Sequence, residues 1–191
     1  MLRQKSQEEV YAPAEDTWLL ADVLAHERLM GKDVLEIGCG SGFLTKIIAK
    51  KGARVTAVDI NPAAVAATKK ILGEEKLDGH VFASDLFSNV LGAFDLIVFN
   101  PPYLPEGAED AIVGSDARYS GGKTGREVIE KFVQQSKGRL KAGGKILLLI
   151  SSVTGERDVI SEFAKNGFAA RPLVRRKIDW EELVVVEAVE K

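Results

Sequence analysis

The chain is punctuated by short runs of consecutive apolar residues, set between longer stretches in which apolar side chains recur every three or four positions. Unbroken runs of this length suit strands buried on both faces, and the spaced stretches suit amphipathic helices. The pattern predicts strands at Asp33–Ile37, Arg54–Val58, His80–Ser84, Phe94–Phe99 and Ile146–Ile150. Helices are predicted at Phe43–Lys51, Pro62–Leu72, Thr124–Leu140 and Thr154–Lys165, the last closed by Asn166–Gly167. Two further β-like runs, Phe168–Val174 and Leu183–Val189, are joined by a polar segment containing Trp180 and read as an antiparallel terminal hairpin. Strand alternating with helix specifies an α/β fold: a doubly wound, mostly parallel seven-stranded sheet with helices on both faces.

The most informative break in this pattern follows the run Phe94–Phe99, where Asn100-Pro101-Pro102-Tyr103 ends the strand abruptly. Neither proline has a backbone N–H, and each biases its predecessor away from helix, so the segment leaves the sheet extended. Asn100 then offers an acceptor and a donor at the strand's carboxyl end, with the flat face of Tyr103 close by. Such a pair suits a planar amide or amine. A turn built from ordinary loop residues would have the same sequence, so the reading depends on a second signal.

That signal is Gly38-Cys39-Gly40-Ser41-Gly42, lying between a predicted strand and a predicted helix. Glycines there let a ligand approach the backbone, and the helix N-terminus adds unsatisfied N–H groups. A dinucleotide fingerprint needs a small residue at its last position, which here is Phe43. Glu36 at the motif's opening would also repel a pyrophosphate, yet it suits a cofactor that carries an ammonium group, as S-adenosylmethionine does. Asp59, at the end of the second strand, stands where ribose hydroxyls find an acceptor, and Asp85 after the third could accept from an adenine amine. Asp59-Ile60-Asn61-Pro62 could equally be only a helix start, with Asn61 as its cap, and Asp85 only a turn residue. Jointly, however, Glu36, Asp59, Asp85 and Asn100 fall at the carboxyl ends of successive strands, the edge where open α/β sheets bind ligands.

Composition narrows the field further. The 191 residues are 46% hydrophobic, enough for one substantial core and too few for two full domains, so residues 1–191 are expected to form a single domain. A net charge of −2 excludes a global positive field for nucleic acid, which leaves Arg171, Arg175, Arg176 and Lys177 as a local basic patch. The lone cysteine, Cys39, cannot form an internal disulfide, and His26 and His80 lie away from any metal-ligand spacing, so no metal is expected. Without a long apolar stretch or signal-peptide pattern, a soluble cytoplasmic protein is expected, with no membrane partner. Leu104–Lys123 is longer than an ordinary connection and is a candidate lid. Gly122-Lys123-Thr124 imitates the end of a P-loop, but that motif's first glycine would fall at Ala117, and Thr124 is better read as a helix cap.

Together, Glu36-Ile37-Gly38-Cys39-Gly40-Ser41-Gly42, Asp59, Asp85 and Asn100-Pro101-Pro102-Tyr103 resemble the class I S-adenosylmethionine-dependent methyltransferases that modify planar nitrogen groups, with a Rossmann-like fold. The segment Val10–Leu20 and Gly121-Gly122-Lys123-Thr124-Gly125-Arg126-Glu127 are similar to the HemK-like glutamine methyltransferases acting on class 1 release factors in archaea and eukaryotes. Two positions depart from that pattern: Ala12 stands where a polar residue is usual and Trp18 where Phe is common. The resemblance implies that Thr17 touches the methionine part of the cofactor, Glu36 and Gly38 its amino-acid end within the Gly38–Gly40–Gly42 loop, Asp59 the ribose, and Asp85 with Leu86 the adenine. It also implies catalytic roles for the Asn100 side chain and the Pro101 carbonyl, as acceptors for the substrate NH₂. Pro102 and Tyr103 would pack on the amide, with Asn100 facing both cofactor and substrate.

The reaction so implied is N5-methylation of the glutamine in a release factor's Gly-Gly-Gln loop. Methylation of an exocyclic adenine amine in DNA or RNA, of a protein lysine, or an inactive scaffold subunit are the alternatives. Acidity and small size weigh against nucleic acid. The resemblance also implies a small zinc-binding Trm-type activator subunit, for which the third strand, around Val81–Ala83, is the candidate edge.

Overall fold

The computed structural model describes residues 10–105, 121–178 and 181–191. Its elements run α1 (Glu15–His26), β1 (Asp33–Ile37), α2 (Phe43–Lys50), β2 (Arg54–Asp59), α3 (Pro62–Glu74), β3 (His80–Ala83) and β4 (Phe94–Phe99). They continue with α4 (Glu127–Ser136), β5 (Leu140–Ser151), a 3₁₀ turn at Ser152–Thr154, α5 (Glu156–Lys165), β6 (Phe168–Lys177) and β7 (Glu182–Glu190). The seven strands form one sheet in the order β3-β2-β1-β4-β5-β7-β6. Only β7 runs antiparallel, inserted between β5 and β6.

From β1 the chain winds outward through β2 to β3, then returns to β4 on the other side of β1. Right-handed crossovers therefore put α2 and α3 on one face of the sheet and α4 and α5 on the other. The winding reverses between β1 and β4, which opens a crevice at their carboxyl ends. Both strands are sealed into the core, with Val34, Leu35, Ile97 and Val98 fully buried, and the Phe99 ring lies 4.8 Å from the Phe132 ring of α4, tilted by 44°. The crevice is thus walled by the most tightly packed part of the molecule. Such a scaffold holds side chains still.

Most predicted elements lie where the hydrophobic pattern put them, and the exceptions have local causes. Thr124 does not cap α4: its backbone N–H donates to the Glu127 carboxylate at 3.1 Å, and the cap position is Arg126. The helix also stops at Ser136 and not Leu140, because β5 begins at Leu140 and runs straight through Gly143 and Gly144. A register shift between Phe94 and Leu96, across which the partner moves from Leu140 to Lys145, takes up the extra residues around the two glycines. Asn61 caps α3 by accepting from the Ala63 N–H at 2.9 Å, with Pro62 at the first helical position. The bulk of the candidate lid and Trp180 fall outside the described residues.

Candidate active site

The loop after β1 is pinned by its own backbone. The N–H groups of Gly38 and Cys39 donate to the Val58 carbonyl at 2.7 and 3.0 Å, that of Gly42 to Cys39, and that of Gly40 to the Asp59 carboxylate at 2.9 Å. Gly42 sits at φ +79°, and a Cβ there would lie 2.7 Å from Ile71 and 2.9 Å from the Thr68 backbone, so α2 can start this close to α3 only with glycine. Four N–H groups that a phosphate would need are thereby committed to protein oxygens. This agrees with the expectation from Phe43 and Glu36 that the loop does not cradle a pyrophosphate.

Around this loop lies a cavity of about 350 Å³, lined by Thr17, Glu36, Gly38, Gly40, Asp59, Asp85, Leu86, Asn100, Pro101, Pro102 and Tyr103 among others. The cavity brings together residues of the Val10–Leu20 segment, the glycine loop, the ends of β2 and β3 and the Asn-Pro-Pro-Tyr break, while Gly121–Glu127 does not line it. Gly42 stands behind it, at the α2–α3 contact. Asp59 uses one oxygen for Gly40 and the other for the Asn61 N–H at 2.8 Å, so it both builds the helix start and faces the cavity. Each carboxylate oxygen has a further lone pair for a ligand. Leu86 holds φ +47°, which is rare for a branched residue, and the Ser84 hydroxyl fixes that turn by donating to the Leu86 carbonyl at 2.9 Å. Strain of this kind persists where the surroundings over-determine it, commonly at ligand sites.

Glu36 is 3% exposed and accepts a hydrogen bond from the Thr45 hydroxyl. Burial pushes its carboxyl up to about 8, against the opposing Thr45 bond and with a smaller push from the Asp59 charge. The folded state therefore holds this proton more tightly than the unfolded chain does. The associated stability is fully present below about pH 4 and is lost as pH rises through about 8. We expect the melting temperature to fall across pH 5 to 8 and the fall to flatten in Glu36→Gln, measured by thermal denaturation of both proteins in the same buffers. A parallel fall in the variant would contradict this.

Asn100 leaves β4 with its Nδ2 3.5 Å from the Thr17 hydroxyl oxygen, while its Oδ1 is buried with no partner among the described residues. A buried acceptor left unpaired costs about 1–3 kcal/mol. A ligand N–H in the cavity would remove that cost. Tyr103 is nearly buried, and its hydroxyl lies 3.4 Å from Glu181, whose other oxygen takes the Ser151 hydroxyl. Burial raises the Glu181 carboxyl, which the Ser151 and Tyr103 bonds oppose. Asp16, 5% exposed, accepts from the Tyr11 hydroxyl at 2.7 Å and from the Thr17 hydroxyl at 3.1 Å.

Sequence reasoning assigned no role to Glu181, Asp16 or Tyr11. Glu181 lies in the polar segment between the two terminal strands, beside Glu182, where an acid carries no signal of its own. Asp16 stands with Glu15 in the first turn of α1, and a pair of acids there reads as an ordinary helix start.

The Gly121–Glu127 segment closes over the Asn-Pro-Pro-Tyr loop. The Gly121 N–H donates to the Leu104 carbonyl at 2.8 Å, and a Cβ at Gly121 would lie 2.7 Å from the Pro102 carbonyl oxygen. Arg126 ties the segment to the end of β5 through the Thr154 carbonyl at 2.9 Å. The arginines of the basic patch are ion-paired: Arg171 with Glu187, Arg175 with Glu156 and Glu182, and Arg176 with Asp22. Among the described residues there is no cluster that could hold a metal ion and no helix long and apolar enough to cross a membrane.

Comparison with known proteins gives the chain's family and fold relatives. Residues 15–170 match the family model of the methyltransferase small domain. A Methanocaldococcus jannaschii protein, provisionally named protein N5-glutamine methyltransferase, is 43% identical over 98% of this chain and 95% of its own. Methyltransferase HEMK2 of Mus musculus is 32% identical over 93% of this chain and 88% of its own. Among solved structures, Mtq2 in the E. cuniculi Mtq2–Trm112 complex, described as responsible for methylating the eRF1 translation termination factor, superposes with a TM-score of 0.77. It is 30% identical and covers 95% of this chain and 99% of its own.

Proposed function

The chain belongs to the methyltransferase small domain family, among its HemK-like protein N5-glutamine methyltransferases, and from that membership we propose that it carries a methyl group from S-adenosylmethionine to the side-chain amide of a glutamine in a class 1 translation release factor. The chain would act as one domain over residues 1–191. The observation that carries this reading is that Asn100, whose Oδ1 is buried with no partner among the described residues, lines a cavity that also holds three acidic side chains at strand ends.

The residues fit the cofactor by chemistry. Glu36 and the Gly38–Gly42 loop would hold its amino-acid end, with the Glu36 proton displaced when an ammonium approaches. Asp59 would take the ribose hydroxyls, and Asp85 with Leu86 the adenine. When bound, S-adenosylmethionine supplies a methyl group already activated by its sulfonium.

The chain's own residues then orient the acceptor. An amide nitrogen is a poor nucleophile because its lone pair is delocalised into the carbonyl. Asn100 Oδ1 and the Pro101 carbonyl would each accept one N–H of the glutamine NH₂, fixing the nitrogen and favouring a more localised lone pair as a proton is shed. Tyr103, its hydroxyl held by Glu181, would present its ring to the amide plane. Positioning and fixed dipoles therefore supply the acceleration, and no covalent enzyme intermediate is needed.

A Trm112-type partner, of the kind in the E. cuniculi complex, is part of the proposal. Among the described residues the edge strand β3 pairs with β2 alone, which leaves its other side as the place for an added strand. The test is transfer of labelled methyl from S-adenosylmethionine to an archaeal or eukaryotic-type release factor, to its Gln→Ala loop variant, and to DNA and RNA. Labelling confined to the wild-type factor supports the proposal. Labelling of nucleic acid alone overturns it.

A further inference from the structure

Asn100 could face the cavity with either end of its amide, and only one of them can accept from a substrate NH₂. The structure contains a device that chooses. Asp16 opens α1 from a buried position, and as a carboxylate it can only accept. It takes hydrogen bonds from the Tyr11 hydroxyl, the Thr17 backbone N–H and the Thr17 hydroxyl. Thr17 has one hydroxyl hydrogen, and Asp16 uses it. The Thr17 oxygen therefore presents lone pairs to Asn100.

With Nδ2 turned toward Thr17, a donor meets an acceptor at 3.5 Å. Turned the other way, two oxygens would face each other in a buried place. The contact is too long to be a strong hydrogen bond, but its sign differs between the two orientations, and that difference decides. We propose that Asp16 is a positioning residue which, through Thr17, holds the Asn100 amide with Nδ2 turned to Thr17, and so leaves Oδ1 as the end that can accept from a substrate NH₂. The orphaned Oδ1 is the result of this arrangement. Tyr11, from the segment before α1, fixes Asp16 from the other side.

The kinetic consequence rests on the amide-methylation reading; the orientation itself does not. Asp16→Asn can offer its own NH₂ to the Thr17 oxygen, which frees the Thr17 hydrogen to turn toward Asn100. The Asn100 amide is then drawn round, and its NH₂ meets the incoming NH₂. Thr17→Val removes the intermediary altogether, and Thr17→Ser keeps it.

The test is the Asn100 side-chain NH₂ signal in ¹H–¹⁵N spectra of the full chain, identified by its loss in Asn100→Ala. It is read alongside kcat and KM for a Gly-Gly-Gln release-factor substrate. The signal should move in Asp16→Asn and Thr17→Val and stay in place in Thr17→Ser. In the first two, kcat should fall roughly 10- to 100-fold, with KM for the factor changing far less. A signal unmoved by Asp16→Asn overturns the inference, as does a kcat loss that merely follows melting temperature across all three variants. If the signals move as expected while the wild-type protein methylates no amide, the orientation device stands and the glutamine reading fails.

Discussion

Asn100→Ala should lower kcat for methyl transfer by about 10²- to 10³-fold, the range seen when one preorganised polar contact to a reacting group is removed. The same change should leave the melting temperature unchanged or higher. Oδ1 is buried without a partner, so the wild-type protein bears the cost of an unsatisfied acceptor that alanine does not have. Among the described residues its side chain makes one polar contact, from Nδ2 to Thr17, which is long at 3.5 Å. Affinity for S-adenosylmethionine, measured by calorimetry, should change only severalfold, because Glu36, Asp59 and Asp85 are untouched. A site residue whose removal costs activity and not stability is the expected mark of a group placed for chemistry. Equal loss of both would point to Asn100 as a structural strand end.

Gly125→Ala should be the second large effect, although Gly125 lies outside the cavity. It holds φ +76°, and an added Cβ would land on the Tyr103 carbonyl oxygen and 3.1 Å from the Pro105 nitrogen. Both neighbours are backbone, so the Asn-Pro-Pro-Tyr loop or the Gly121–Glu127 segment must shift. Displacing reacting groups by about 1 Å can cost about 10²-fold in rate, and overpacking of this kind typically costs about 1–3 kcal/mol. Gly138→Ala is the control, since it has φ +74° with nothing within 4 Å of the added atom. It carries the same backbone strain without the collision and should keep full kcat. Comparable losses in the two variants would mean that strain and not contact is responsible.

Gly125 also illustrates what the sequence could and could not yield. The motif Gly121–Glu127 stood out by its glycines and by resemblance, yet nothing in the order of residues says that it closes onto Pro102–Pro105. That contact is tertiary, between segments whose connection lies outside the described residues. The sheet, by contrast, was readable because strands buried on both faces leave apolar runs, as at Phe94–Phe99 and Ile146–Ile150. Where local patterns competed, the reading slipped. The apolar run places a strand at Ile146–Ile150 only, but β5 starts at Leu140 and continues through Gly143 and Gly144, since its pairing with β4 tolerates a register shift.

The site divides in the same way. Glu36, Asp59, Asp85 and Asn100 could be found because strand ends are predictable and the ligand edge follows from the topology. Asp16 and Glu181 could not. Each acts through a neighbour, Thr17 in one case and Tyr103 in the other, and neither interaction has a sequence period. The Arg171–Lys177 patch shows the reverse. It is conspicuous in sequence, but three of its arginines are engaged by carboxylates on β7, α5 and α1. That pairing leaves little free positive charge on this face for nucleic acid.

The central claim, that Asn100 Oδ1 receives the substrate amide, is tested most directly by a crystal structure with S-adenosylhomocysteine and a Gly-Gly-Gln peptide. The glutamine Nε2 should lie within about 2.7–3.2 Å of Asn100 Oδ1, with Nδ2 still turned to Thr17. A glutamine side chain bound elsewhere, or an Asn100 amide turned to present Nδ2 to the substrate, would contradict it.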